Sequence, residues 1–374
     1  MLVLHIITGL NDGGAEGALF RLLVQDSHND HIVISLTDEG KYGPLISRLG
    51  IKVHCLNIRN KLLAIFAAPK LWKLLIKTQP DAIQTWMYHS DLIGGICARL
   101  AGHRNIFWGI RNDEIINDGT ARVTKYIAYL CGKLSNFIPK KIISCSYRAV
   151  ETHVSKGYAR KKMCVIQNGF NLDNFYAHPD DAFHLRKQLQ ICNEDTPLFG
   201  CVARFDPQKD HENLFGALAI LKRNNIKFKC VLVGHLMDSF NNELQALIIK
   251  YDLHRDIVLL GPRNDIPQIM SALDIHILSS RSEAFPNVIA EAMACCTPCV
   301  STDVGDARII IGENGWLAPT MNAPALAEKL QQALRLRENP VLWENLRKST
   351  RQHIIEHFSI EKMAEKYNNT WANS

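Results

Sequence analysis

The chain has 374 residues, a formal net charge of +6, 47% hydrophobic and 21% charged residues. That length buries two cores, and the balance is that of an ordinary globular protein, which excludes a disordered or collagen-like chain. No uncharged apolar run reaches the ~20 residues needed to span a bilayer, and Met1 to Gly9 lacks the basic region and length of a secretory leader. Eleven irregularly spaced cysteines, odd in number, are expected as reduced buried thiols of a cytoplasmic protein. Charge is unevenly placed: residues 1–180 carry +8 and the remainder −2, with +15 in residues 41–162. A basic first half calls for an anionic partner, and without a recognised nucleic-acid module a lipid or membrane surface is expected there.

Short apolar runs alternate with longer helical patterns, the signature of parallel sheets with helices on both faces. In the first half, strands are expected at 2–7, 32–36, 52–55, 82–84, 106–109, 142–144 and 164–166, with helices near 15–25, 43–49, 67–77, 90–101 and 120–136. The loop from Gly9 to Glu16 follows a strand and opens a helix. Its adjacent Gly13 and Gly14 let the backbone approach an anion at a helix N-terminus, but the Gly-x-Gly-x-x-Gly spacing of a dinucleotide site is absent. Within Lys61–Lys77, Lys70, Lys73 and Lys77 stand at helical spacing beside Leu71, Trp72, Leu74 and Leu75, a basic amphipathic pattern suited to anionic lipid. Trp86-Met-Tyr-His89-Ser-Asp91 leads from a strand into a helix, and Arg111 ends the next strand.

Pro179-Asp180-Asp181 reads as a break inside a linker near 170–195. Strands then resume at 198–202, 229–233, 257–260, 275–278 and 299–302, and a helical tail covers 360–371. Arg204 and Lys209 follow the first of these strands, at the carboxyl end where open α/β sheets bind ligands. A guanidinium holds two phosphate oxygens at once and a lysine adds a mobile point charge, so the pair suits a diphosphate. Glu283 and Glu291 stand eight apart around Phe285-Pro286-Asn287, with a helix expected to begin at Asn287 as N-cap and to carry Glu291 one turn inside. A helix N-terminus flanked by two carboxylates fits a ligand that is both anionic and hydroxyl-rich. No Asp-x-Asp occurs, so no catalytic metal is expected and cationic side chains would neutralise the phosphates.

These motifs, with Val231-Leu-Val-Gly234, Leu260-Gly-Pro-Arg263-Asn-Asp265 and Pro298 to Gly305, resemble in order and spacing the retaining glycosyltransferases of family 4, also called group 1, which have the GT-B fold. The wording around His89 is similar to members that build bacterial polysaccharides. The resemblance covers nearly the whole chain and implies an α/β protein of two Rossmann-like domains with parallel sheets facing across a cleft. It implies an acceptor-side domain at 1–175 completed by 359–374, and a nucleotide-sugar domain at 176–358. It further implies that Glu291 binds the ribose and Glu283 the transferred sugar, that Phe285, Pro286, Asn287 and Val288 lie along the diphosphate, and that Arg204 and Lys209 neutralise it as it leaves. By the same resemblance Gly13, Gly14 and Arg263 bind the donor, His89 sits near the reacting carbon, and Asp91 and Arg111 lie on the acceptor side.

The implied activity is metal-independent, cofactor-free transfer from a UDP-sugar, or a GDP-sugar, to a glycan or polyprenyl-diphosphate-linked acceptor at the inner face of the plasma membrane, with no role for nucleic acid. A GT-B nucleotide-sugar epimerase and a non-catalytic nucleotide-sugar-binding protein are the alternatives. Three positions depart from the common wording: Ala284 for Gly, Gly234-His-Leu236 for Gly-x-Gly, and Phe170-Asn171 after Asn168-Gly.

Overall fold

Alternating apolar runs and amphipathic stretches build two parallel sheets, each the centre of a compact unit: Met1–Gly169 with Ile360–Ser374, and Phe170–Ser359. The computed structural model describes residues 1–58, 68–113, 122–189, 191 and 196–373.

In the first unit the elements run β1 Leu2–Ile7, α1 Gly14–Gln25, β2 Asp30–Ser35, α2 Tyr42–Arg48, β3 Lys52–Cys55, α3 Ala68–Thr78, β4 Ala82–Trp86 and α4 Tyr88–Leu100. They continue with β5 Ile106–Ile110, α5 Arg122–Leu134, β6 Lys141–Ser144, α6 Tyr147–Ser155 and β7 Met163–Val165. The strand order is β3-β2-β1-β4-β5-β6-β7, so the direction of winding reverses between β1 and β4. Strands β4 and β5 are buried at every position, as expected where both faces of a parallel sheet are covered. On one face Leu71, Leu75, Ala98 and Cys131 from α3 to α5 pack on Leu4, Ile6 and Trp108. On the other, Leu19 and Leu22 of α1 meet Val3, Ile7 and Trp86, and the same cluster takes in Tyr367 and Trp371 from the last helix of the chain.

The second unit runs α7 Pro179–Gln188, β8 Leu198–Val202, α8 His211–Arg223, β9 Lys229–Val233, α9 Asn242–Lys250, β10 Ile257–Gly261, α10 Ile266–Ala272 and β11 Ile275–Leu278. It closes with α11 Asn287–Ala294, β12 Cys299–Thr302, α12 Ala307–Ile311, β13 Gly315–Ala318, α13 Ala323–Arg337 and α14 Pro340–His357. Its order, β10-β9-β8-β11-β12-β13, repeats the Rossmann arrangement, with the reversal between β8 and β11. The final helix, α15 Ile360–Ala372, belongs to the first unit.

Two expectations need correction. Residues 179–188 form α7 rather than a linker, because Pro179 at the first position, Asp180 and Asp181 in the first turn and Arg186 and Lys187 in the last are helix signals. Arg186 then fixes the helix to Asp274 at 2.7 Å. Helix α11 is capped by Pro286, and Asn287 is its first residue. Cys296 and Cys299 have Cys-x-x-Cys spacing, yet both are free thiols, and burial within β12 pushes the pKa of Cys299 up. The first seven residues of the basic stretch Lys61–Lys77 lie outside the described residues.

Candidate active site

In the second unit the carboxyl ends of β8 and β11, neighbours at the reversal of strand order, carry the two loops that hold the predicted residues. After β8, Asp206 caps a short 3-10 turn, Pro207–Lys209, accepting from the Gln208 N–H at 2.9 Å and from Arg204 Nε at 3.0 Å. Those bonds outweigh partial burial and hold the Asp206 carboxyl below its ordinary range. The turn delivers Lys209 to the loop after β11, where its Nζ lies 2.5 Å from Glu283 Oε1. Ser280 Oγ donates to the same oxygen at 2.7 Å, while Glu283 Oε2 takes no hydrogen bond among the described residues. Both charged side chains are mostly buried, 17% and 13% exposed, so removing one would leave the other partly desolvated without its partner.

The two loops are laced together by further bonds. Ser279 Oγ donates to Lys209 O at 2.8 Å, Gln208 Nε2 to Ser282 O at 2.6 Å and Arg281 N to Gln208 O at 2.8 Å. Arg281 also pairs with the buried Asp210 at 2.9 Å. From behind, Thr302 Oγ1 donates to Ser280 O at 2.7 Å and Asp306 N to Ala284 O at 3.0 Å. Gly305, at φ +52, lies so close that a Cβ would stand 2.3 Å from the carbonyl oxygens of both Glu283 and Ala284. Gly234 is equally tight, at φ +142 with a Cβ position 2.1 Å from Ala203 O, just before Arg204. Leu236 keeps a left-handed φ of 61 where the common Gly-x-Gly wording has its second glycine.

Other predicted donor residues have mixed settings. The Phe285 side chain is buried between Phe170 and Phe358, at ring distances of 6.3 and 5.8 Å, so only its backbone can meet a ligand. Pro286 is buried, Asn287 and Val288 are half-buried, and Glu291 lies half-buried one turn into α11. Arg263 is held by Asp265 through Nε at 2.7 Å and Nη2 at 2.5 Å, a pairing that raises the arginine pKa and lowers that of the carboxylate.

In the first unit, Gly13 caps α1 in an extended conformation and Gly14 begins it. A Cβ on Gly13 would meet Glu16 Oε2 at 2.4 Å, because the glutamate folds back over the loop, and burial raises its pKa. Gly40, at φ +45, backs the same loop, with its Cβ position 2.5 Å from Leu10 O. Thr8 Oγ1 and Ser90 Oγ, 3.1 Å apart, tie the end of β1 to the start of α4. The Gly13-Gly14 loop and the buried His89 therefore flank the β1/β4 reversal, the ligand position of an open sheet.

The two residues expected on the acceptor side both have partners within the first unit. Asp91 is fully buried, and its Oδ1 accepts from Thr85 Oγ1 at 2.5 Å and from Gly109 N at 3.2 Å. It clasps β4 to β5 from inside, and burial, opposed by those two bonds, pushes its pKa up to about 8. Arg111 donates to Asn168 Oδ1 at 2.7 Å and to Tyr367 OH at 3.1 Å and lies 4.6 Å over the Trp86 ring, so it anchors α15. Sequence reasoning missed Ser280 and Gly305. The i, i+3 spacing of Ser280 and Glu283 was the available signal for the first, and the second stood only as the end of the Pro298 to Gly305 motif.

Two family models match the chain: Glycosyltransferase Family 4 over residues 13–174 and Glycosyl transferases group 1 over residues 184–353. An Escherichia coli UDP-Gal:alpha-D-GlcNAc-diphosphoundecaprenol alpha-1,3-galactosyltransferase is 26% identical over 306 residues, covering 79% of this chain and 76% of that one. A Campylobacter jejuni N,N'-diacetylbacillosaminyl-diphospho-undecaprenol alpha-1,3-N-acetylgalactosaminyltransferase is 26% identical over 365 residues, 93% of each chain. Among solved structures, Anabaena HepE in complex with UDP superposes with a TM-score of 0.85 at 22% identity, over 100% of both chains. With both family models matched in sequence order and the Rossmann strand order repeated in two units, the chain belongs to the family 4, group 1 glycosyltransferases of GT-B fold, among relatives that build bacterial polysaccharides.

Proposed function

We propose that this chain is a retaining, metal-independent hexosyltransferase that moves a sugar from a UDP-sugar to a polyprenyl-diphosphate-linked glycan during synthesis of a bacterial surface polysaccharide. The observation that carries the reading is the meeting of Lys209 and Glu283 at the β8/β11 reversal, with one glutamate oxygen engaged by Lys209 and Ser280 and the other open. The UDP-galactose and diphosphoundecaprenol in the name of the E. coli relative support the choice of donor and acceptor. A GDP-sugar is the second donor class. Working at lipid-linked acceptors places the enzyme at the inner face of the plasma membrane.

In this reading Glu283 Oε2 accepts hydroxyls of the transferred sugar and Glu291 those of the ribose. Gly13, Gly14 and His89 keep the donor-side role that the family resemblance implies for them. The first turn of α11, from Asn287 and Val288, faces the diphosphate, and Arg263 reaches it by exchanging Asp265. The acceptor oxygen attacks the anomeric carbon on the face from which UDP departs. The carbon–oxygen bond to the diphosphate breaks as the new glycosidic bond forms, and the acceptor's proton passes to a diphosphate oxygen. Arg204 and Lys209 stabilise the charge that grows on the leaving group, so catalysis is positioning and electrostatics.

The test is release of nucleoside diphosphate from a panel of UDP- and GDP-sugars, with and without lipid-linked acceptor from a polysaccharide-producing bacterium. Release from one donor, stimulated by acceptor, is expected. Lys209→Ala and Arg204→Ala should lower turnover by about 100-fold or more, and Glu291→Ala should chiefly raise the donor KM. Full activity in both cationic variants, or an inverted anomeric product by NMR, would sink the scheme.

A further inference from the structure

The first unit shows a second surface with a chemistry of its own. Helices α3, α4 and α5 touch in sequence and form the layer over one face of the sheet, with Leu71, Leu75, Ala98 and Ile127 turned into the core. Their opposite sides expose Trp72 and Ile76, Ile96 and Leu100, and Tyr126 and Tyr129, each pair at helical spacing. Leu100 is 73% exposed and Tyr126 62%. Scattered apolar residues are ordinary on a protein surface, but paired stripes on three adjacent helices make a patch.

The charge on these helices has one sign. Lys70, Lys73 and Lys77 lie on α3, Arg99 on α4, and Arg122, Lys125 and Lys133 on α5. Their only carboxyl group is Asp91, which is fully buried and, with its pKa pushed up to about 8, holds its proton at neutral pH. Lys133 also lies 5.5 Å over the Tyr129 ring, and Arg99 donates to Phe137 O at 2.9 Å, which fixes the exposed Phe137 beside α4. By contrast α15, on the other face, alternates Glu361, Lys362, Glu365 and Lys366 and exposes no large apolar residue.

Basic side chains pair with phosphate headgroups, and aromatic rings settle at the boundary between headgroups and acyl chains. A nucleic-acid backbone would use the same bases but gives no reward for exposing Ile76, Ile96 and Leu100. We propose that the outward face of α3, α4 and α5 docks this protein on an anionic phospholipid bilayer, with Tyr126, Tyr129 and Trp72 at the headgroup boundary. The inference deepens the proposed membrane position, but binding itself is independent of the donor chemistry.

The full chain should sediment with phosphatidylcholine vesicles containing about one-third phosphatidylglycerol and not with pure phosphatidylcholine, and salt should weaken the binding. Combining Lys73→Glu, Lys77→Glu, Tyr126→Ser and Tyr129→Ser should reduce apparent affinity about tenfold or more, with an unchanged thermal melt because all four side chains face outward. Lys366→Glu on α15 should change nothing. Undiminished binding by the fourfold variant, equal binding to pure phosphatidylcholine, or retention by a DNA duplex with none on vesicles would overturn the proposal. Transfer to lipid-free acceptor without vesicle binding would sink this inference and spare the transferase reading, and vesicle binding without release of UDP would do the reverse.

Discussion

Gly305 has no room for a side chain, and its neighbours are the two carbonyls that shape the glutamate loop. Gly305→Ala adds both a collision and an unfavourable φ, so it should destabilise the second unit by about 1–3 kcal/mol, read by denaturant titration, and depress turnover beyond that loss. Ser280→Ala removes one of two bonds that orient Glu283 Oε1; turnover should fall with little change in fold, and Ser280→Thr should restore it. Asp91 predicts a pH effect of definite sign. Its carboxyl stays protonated in the folded chain up to about 8, so from the ordinary carboxylate range to that pH the folded state binds more protons than the unfolded. Stability should therefore fall as pH rises through this window, by up to about 1.4 kcal/mol per pH unit. Asp91→Asn should flatten that slope in denaturant titrations. The placement of Lys209 and Glu283 on loops after strands, and of Glu291 one turn into a helix, was legible in the sequence because strand ends and helix starts sit at fixed offsets from them. The internal contacts of Asp91 and Arg111 were not, because spacing places a residue at a strand end without telling which way its side chain turns.

At the scale of elements, the last helix is held by its aromatic side chains. Trp371 is buried and donates to Gln84 Oε1 at 3.2 Å, and Tyr367 stacks on Trp86 at 5.9 Å while accepting from Arg111. Trp371→Ala should cost about 3–5 kcal/mol, and a fluorescence-monitored unfolding curve should show the loss in the first unit. Most strands were legible to within a residue or two, since a parallel strand covered on both faces is an unbroken apolar run. The four-residue β13, Gly-Trp-Leu-Ala, was not, because it contains no β-branched residue and is fixed by pairing with β12. Helix α7 escaped because a proline among acidic residues signals equally a break and a first turn, and only packing against α10 and Asp274 decides between them.

For the whole molecule, the repeated strand order gives both units a reversal point at which a Gly-rich loop or a charged loop is presented, and Gly13, Arg204, Lys209 and Glu283 lie on those loops. The proposed neutralisation of the diphosphate by Arg204 and Lys209 predicts transfer that is unchanged by EDTA; loss of activity with chelator and recovery with a divalent cation would contradict it. The first unit is assembled from two stretches of chain separated by the whole of the second. A ribosome therefore delivers residues 1–169 long before α15 exists, and until it arrives the side of the early sheet that carries His5 and Trp86 lacks Tyr367 and Trp371 as cover. The second unit has all of its strands in hand earlier than the first can be completed. The half of the protein made first is thus the half that finishes last, and its unfinished apolar side is the natural client of a chaperone during synthesis.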